Sequence, residues 1–399
     1  MKGKLVNVED YRRLAAKTLP RIVFDFLEGG AEDEKGLAHN RAAFDQWRFA
    51  PHRLVDVSER TLSTQLFGKN WSAPFAIAPT GFNSALWPSG DIKLAKAAAS
   101  ANIPFILSTA SNSSIEDVAR CADGEKWFQL YVVQQQLVEQ LVMRALNAGY
   151  TTLIVTSDVG VNGNRERDRR NQFSLPLKIT PSLLMSGCCH PAWSMRFRQS
   201  GMPPLANFVS AESGSLEAQA AVMSRQMDAG FNPNSLKRIR EMWPHKLLVK
   251  GIIRPEDAEL CVACGADRVI LSNHGGRQLD GNLSPLETLA DVAARIDSPV
   301  LADSGFRRGS DIVKALCMGA DMVLLGRATL YGLVARGLRG ADEAIALLTR
   351  EVDGTLAQTG GPDVVDSSAA SLPRTFCTDV PCGCNHITRA LDRSLPRRL

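Results

Sequence analysis

Eight short apolar runs, FAIAPT, FILST, WFQLYV, TLIVTSDV, KLLVKG, RVILSNH, VLADSG and MVLLGRA, recur along the chain with helix-like amphipathic stretches between them. Few folds accommodate that rhythm. A buried strand followed by a covering helix is the unit of a parallel sheet, and an open doubly wound sheet rarely runs so regularly to eight strands. The expected fold is therefore α/β, a closed (β/α)8 TIM barrel. Helix ends are legible between the runs: SSIEDVARC opens like a capping box, QLVEQLVMRALNAG stops at Gly149, and SPLETLADVAARI starts at a Ser-Pro. Residues 1 to about 70 precede the first strand, and EDYRRLAAK and IVFDFLEGGAEDE within them predict an N-terminal helical cap. A long excursion after the fourth strand, from about Gly160 to Gly230, contains an insertion at about 170–215. Residues 1–365 are expected to form one barrel domain and 366–399 a C-terminal tail.

Composition narrows the function classes. The 399 residues are 45% hydrophobic and 22% charged, as in a soluble globular protein. A net charge of +4, with no run of interleaved basic and aromatic residues, argues against nucleic acid as a partner. No stretch has signal-peptide or membrane-spanning character, which places the chain in the cytoplasm. The nine cysteines show no framework spacing and are read as reduced. Cys261 and Cys264 fall in the helical stretch PEDAELCVACG and read as a buried helix face. Cys377, Cys382, Cys384 and His386 in the tail lack a second well-spaced ligand pair, so no metal is assigned.

Each apolar run delivers a residue able to bind or react at its carboxyl end: Thr80, Ser108, Gln129 with Tyr131, Thr156 with Asp158, Lys250, Ser272 with His274, Asp303, and Gly326 with Arg327. In a (β/α)8 barrel those ends converge on one face, where the active site is built. Gly305, Arg307, Gly309 and the Gly326–Arg327 pair suit a phosphate at the last two strands. The amide and hydroxyl groups of Thr80, Ser108, Gln129 and Thr156, with Lys250, suit a flat heterocycle rich in donors and acceptors. Flavin mononucleotide (FMN) fits both halves, with Lys250 stabilising negative charge on the ring. His274 reads as a base, Asp158 as the group that orients it, and Arg277 as a carboxylate ligand. Arg165, in RERD, is either the second half of that clamp or part of a solvated charge cluster.

The motifs SNHGGRQLD, ADSGFRRGSD, GRATLYG and EGGAEDE closely resemble those of the FMN-dependent α-hydroxy-acid dehydrogenases and oxidases, over about Val8 to Gly360. Further stretches, among them PTGFNSALWP, STASNSSIEDVA, NGNRERD and WPHKLLVKG, resemble the membrane-associated members that oxidise (S)-mandelate. The resemblance implies oxidation of a 2-hydroxy acid, (S)-mandelate or a related aryl acid, to the 2-keto acid. It implies His274 as base, Asp158 as its partner, Arg277 and Arg165 on the substrate carboxylate, and Tyr131 against the substrate hydroxyl and the flavin. The implied FMN ligands are Pro79, Thr80, Gly81, Ser108, Gln129, Thr156, Lys250, Ser272, Asp303, Gly305, Arg307, Gly326 and Arg327. Ala110 leaves room for an aromatic substrate, and Gly81 leans towards a dehydrogenase. Phe26 departs from the pattern, where a tyrosine hydroxyl binds the substrate carboxylate. A hydrogen bond to a charged group is worth about 1.5–3 kcal/mol, so its loss predicts roughly ten- to a hundred-fold weaker use of a simple 2-hydroxy acid, or a shifted specificity. The same-fold alternatives are an oxidase that uses oxygen and an L-lactate dehydrogenase; one of another class is a Schiff-base lyase using Lys250.

From Arg169 to Ala211 there is no Asp or Glu, whereas Arg169, Arg170, Lys178, Arg196 and Arg198 are basic. Leu183, Leu184, Met185, Trp193, Met195, Phe197, Met202 and Phe208 lie in the same stretch. Such a segment suits a membrane surface, at about 1 kcal/mol per basic residue near anionic lipid. The resemblance implies peripheral attachment to the cytoplasmic face of the inner membrane, a quinone as electron acceptor, and a tetramer. Deleting residues 177–210 is expected to release active enzyme from membranes.

Overall fold

The computed structural model describes residues 5–133, 135–173, 181–208, 228–361 and 363. Eight parallel strands close into a barrel: β3 (Phe75–Ile77), β4 (Phe105–Ser108), β5 (Lys126–Tyr131), β6 (Thr152–Thr156), β7 (Lys246–Ile252), β8 (Arg268–Leu271), β9 (Val300–Ala302) and β10 (Ala320–Leu325). All eight apolar runs form strands, in chain order around the barrel, with β10 pairing back onto β3. The antiparallel hairpin of β1 (Thr64–Leu66) and β2 (Lys69–Trp71) packs against the barrel interior, where Trp71 meets Trp127 edge to face.

Strand periodicity explains where the core ends and the site begins. Side chains alternate between the two faces of a strand. Phe105, Leu107, Leu153, Val155, Leu247 and Val249 point out to the helices, whereas Ile106, Trp127, Ile154, Leu248, Ile270 and Leu301 fill the interior as a separate apolar cluster. Two residues further on, the same inward positions become Ser108, Gln129, Thr156, Lys250, Ser272 and Asp303, all buried. The barrel thus carries an apolar layer with a polar layer directly above it.

The helix ends read from sequence are present. Ser114 accepts from the Asp117 amide at the start of Ile115–Cys121, Gly149 follows Gln135–Asn147 with φ +80°, and Ser284 precedes Pro285–Arg295. Cys261 and Cys264 are buried at the end of the helix Pro255–Ala263. The N-terminal region is helical, in Val8–Thr18, Arg21–Glu28 and Lys35–Asp45. Its connecting segment covers the carboxyl ends of the strands: the Ala31 amide donates to the Gly276 carbonyl and the Glu32 amide to the Asn164 carbonyl. The tail cysteines and His386 lie outside the described residues, as do Lys178 and both ends of the 177–210 segment.

Candidate active site

The polar layer is internally bonded in two arcs. Ser108 Oγ donates to Gln129 Oε1 (3.0 Å), and Gln129 Nε2 donates to Thr156 Oγ1 (2.7 Å). On the other side Lys250 Nζ donates to Ser272 Oγ (2.7 Å) and pairs with Asp303 Oδ2 (3.0 Å). Burial alone would lower the Lys250 pKa, but Asp303 and Asp158 outweigh it and hold the ammonium above the usual lysine value. The cation is therefore fixed at the barrel axis.

Above this layer lies a cavity of about 400 Å³. Its lining includes Phe26, Pro79, Thr80, Gly81, Ala110, Tyr131, Arg165, Lys250, His274, Arg277, Asp303, Gly305, Arg307, Gly326 and Arg327, all singled out by sequence. Ser108, Gln129, Thr156 and Ser272 stay in the polar layer, and Asp158 stands behind His274.

The turn after β8 places the base. His274, Gly275 and Gly276 take three successive left-handed conformations (φ +58°, +64° and +75°). Glycine adopts this backbone freely, whereas histidine does so at a cost, a form of strain that clusters at functional sites. The His274 amide donates to Ser272 Oγ (3.0 Å), and its Nδ1 lies 3.2 and 3.3 Å from the two Asp158 oxygens. Burial would raise the Asp158 pKa, but His274 and Lys250 hold it below the usual range, so a carboxylate faces Nδ1. Nδ1 then carries the proton, and Nε2 is the nitrogen left to accept one. Tyr131 stacks near the imidazole, centroids 6.4 Å apart, with its phenol pKa raised by burial.

Two guanidiniums line the cavity beside the histidine. Arg165, which sequence leaves between a clamp and a solvated cluster, turns in and pairs with buried Asp168 (3.1 Å). Arg277 donates only to carbonyls, those of Phe26 (2.9 Å) and Gly29 (2.8 Å), among its described bonds. Burial, followed by repulsion from Arg165 and Arg327, lowers the Arg277 pKa well below its ordinary value. Arg327 likewise spends its donors on the carbonyls of Leu27, Gly275 and Gly29, and Arg307 donates to its neighbour Phe306. The cavity therefore holds two arginine pairs, and Asp168 answers only part of the charge of one, which suits a ligand phosphate at Arg307 and Arg327 and a carboxylate at Arg165 and Arg277. With the ammonium and amide-bearing floor between them, the residues present fit FMN.

Sequence reasoning misses an aromatic wall. Phe173 stacks on Phe26 at 4.3 Å, and Phe82 meets both rings edge to face. The guanidiniums of Arg277 and Arg165 lie 5.3 and 5.6 Å from the Phe26 ring centre. Phe82 is in plain view beside Gly81; Phe173 sits between basic and polar residues with no periodicity to mark it. Asp168 and Gln278 also escape, although both lie within the motifs that carry the site.

The described part of the insertion has an inside and an outside. Its large apolar residues do not share one outward face: Trp193 and Phe208 are buried, Phe197 stacks on Trp193, and Leu183 and Met202 pack against the core. Only Leu184, Met185 and Met195 of those named are exposed (59, 72 and 63%). Arg196 is not a free surface charge, since its guanidinium lies 4.1 Å from the Trp87 ring. The described part of that segment, residues 181–208, also packs against the barrel. Leu205 lines the cavity, Trp193 Nε1 donates to the Ala85 carbonyl, and the Asn207 side chain accepts from Ile115 N while donating to Thr109 O.

Comparison with known proteins agrees with this geometry. The chain is 60% identical to the (S)-mandelate dehydrogenase of Pseudomonas putida over 379 residues, 95% of this chain and 96% of that one. It is 37% identical to an L-lactate dehydrogenase of Pseudomonas aeruginosa, covering 92% and 97%. A crystal structure of the monotopic membrane protein (S)-mandelate dehydrogenase superposes with a TM-score of 0.92 at 59% identity, over 93% of this chain and all of that one. A mandelate oxidase variant solved with (S)-mandelic acid matches with a TM-score of 0.80 at 30% identity, over 94% and 100%. Residues 15–374 match the model of the FMN-dependent dehydrogenases, and on that match, its relatives and a cavity built for the cofactor, the chain belongs to the FMN-dependent dehydrogenase family.

Proposed function

We propose that the protein oxidises a 2-hydroxy acid, (S)-mandelate or a close aryl relative, to the 2-keto acid. The observation that carries this reading is the His274–Asp158 pair in one cavity with Arg165 and Arg277. FMN, when bound, would supply the acceptor for the two electrons and for one of the two protons that leave the substrate. Arg165 and Arg277 bind the carboxylate bidentately and so fix which face of the α-carbon is presented. His274 Nε2 takes the proton that leaves the substrate, and Asp158 stabilises the resulting imidazolium. Tyr131 orients the hydroxyl, and Lys250 supplies fixed positive charge beneath the cofactor. Thr80, Gly81, Ser108, Gln129, Thr156 and Ser272 hold the ring, while Gly305, Arg307, Gly326 and Arg327 hold the phosphate. The aryl group is accommodated by Ala110 and the wall of Phe26, Phe82 and Phe173.

A Schiff-base role for Lys250 is disfavoured, since an amine held protonated by Asp303 is a poor nucleophile. Peripheral membrane attachment is supported by the similarity to a monotopic protein and by exposed Leu184, Met185 and Met195. Among the described residues no helix is long and apolar enough to cross a membrane. Electrons then pass to a membrane quinone at the cytoplasmic face, and the molecule is a tetramer. The deciding experiment is the visible spectrum of the purified protein under argon before and after (S)-mandelate. Bleaching of the flavin band supports the assignment; a band that persists with mandelate and L-lactate alike rejects it. Peroxide formed in air at the rate of substrate loss would replace the quinone with oxygen.

A further inference from the structure

Behind the cavity wall lies a carboxylate that this chemistry does not use. Asp91, in the first turn of the helix Gly90–Ser100, is fully buried. A charge so placed is costly unless its lone pairs are met. Burial pushes its pKa up to about 6, against hydrogen bonds from Asn83 and from the backbone of Asn112, Ser113 and Asp91 itself.

The donors come from different loops. Asp91 Oδ1 accepts from Asn83 Nδ2 (2.7 Å) and Oδ2 from the Asn112 amide (3.1 Å). Asn83 also donates to the Thr80 carbonyl (3.0 Å) and accepts from the Thr80 hydroxyl (3.1 Å). The Asn112 side chain accepts from the Ser84 amide (2.9 Å) and donates to the Pro204 carbonyl (2.7 Å). One carboxylate thus stands where the loop after β3, the loop after β4 and the insertion meet. The two loops are in close contact at the cavity, where the Phe82 amide donates to the Ala110 carbonyl (3.0 Å) and a Cβ on Gly81 would lie 2.9 Å from that of Ala110.

We propose that Asp91 is a positioning residue: by accepting bonds from both loops it fixes Thr80 and Gly81 against Ala110, and with them the width of the slot that holds cofactor and substrate. The inference rests on reading the cavity as an FMN and hydroxy-acid site. Asparagine is a poor substitute: its NH2 either faces the Asn112 N–H, donor against donor, or points at Asn83, whose amide must turn to accept it and so gives up the bond to the Thr80 carbonyl. Asn83→Ala removes the link between Asp91 and Thr80 from its other end.

The test compares full-length, FMN-loaded wild type, D91N and N83A. It measures melting midpoint, FMN dissociation constant, flavin band shape, and KM and kcat for (S)-mandelate. D91N and N83A are each expected to raise KM and the FMN dissociation constant by about tenfold with kcat changed about threefold or less. Either protein melting earlier but keeping FMN affinity, band shape and KM within about twofold overturns the proposal. Should D91N fail to fold, N83A decides by the same criteria. If mandelate leaves the wild-type flavin oxidised, the functional reading fails, while FMN affinity and band shape still judge Asp91.

Discussion

The rim of the barrel and the insertion after β6 both carry residues that are expensive where they lie, yet the two regions repay reading differently. At the rim, Lys250 and Asp303 stand one inward position above Leu248 and Leu301, and His274 lies in the turn that follows β8. A polar side chain there has no structural excuse except a bonded layer and a ligand. In the insertion, exposed Met185 and Met195 alternate irregularly with buried Trp193 and Phe208. Apolar residues are tolerated inside and outside alike, so their presence says little about which way they point. The difference teaches that cost relative to a known repeat, more than residue type, makes a function legible.

The comparison is broken most directly at the rim. His274→Ala should retain FMN and lose roughly 10²–10⁴-fold in the rate of flavin reduction by stopped flow, since general base catalysis contributes about that much. A near-normal rate would remove the base. Arg277→Met should raise KM for mandelate by roughly 30- to 3,000-fold, the cost of truncating one partner of a buried charge pair at about 2–5 kcal/mol, with little change in the affinity of a neutral mandelate ester. Phe26→Tyr probes the departure from the family pattern: a hydroxyl beside Arg165 and Arg277 should tighten mandelate by roughly ten- to a hundred-fold, and an unchanged KM would mean that the stacked pair with Phe173 already fixes the substrate.

The insertion sharpens the contrast with smaller effects of two kinds. Trp193→Ala should cost about 3–5 kcal/mol of stability in denaturant unfolding, as for a buried aromatic, and should disturb the wall through Ala85. Met185→Asp should leave melting and KM alone and weaken sedimentation with anionic vesicles by roughly ten- to a hundred-fold, through loss of about 1.5–3 kcal/mol of apolar contact. Equal effects from both would mean that the segment has no inside and outside. The smallest effect concerns pH. A lysine with a raised folded pKa contributes its stability fully below the ordinary value of 10.5 and loses it only as pH rises through the higher folded one. The ion pair of Lys250 with Asp303 should therefore give a flat stability difference between wild type and Lys250→Met from about pH 7 to about 9.5.

The barrel, its strand order and most of the cavity lining are legible because a period of two switches from apolar to polar at every strand end. His274 and Arg277 are legible from the turn that follows β8, whose glycines supply the left-handed backbone. What escapes has no such frame. Phe173 reaches the site from a stretch without periodicity, and Asp168 and Asp91 act through other residues, so nothing in their own spacing marks them. Which apolar residues of the insertion face outward is not legible either, because composition averages over side chains that the fold separates.

The bonds from Ala31 to Gly276, and from Arg327 to Leu27 and Gly29, join the first tenth of the chain to its last third. At about 5–20 residues per second, roughly 15–60 s of synthesis separate the two halves of that seam on the ribosome. Until then the carbonyls of Leu27 and Gly29 lack their Arg327 donors, and the pocket cannot close over a flavin. Any nascent chain stalled before Arg327 should be colourless, with its apolar N-terminal helices available to chaperones.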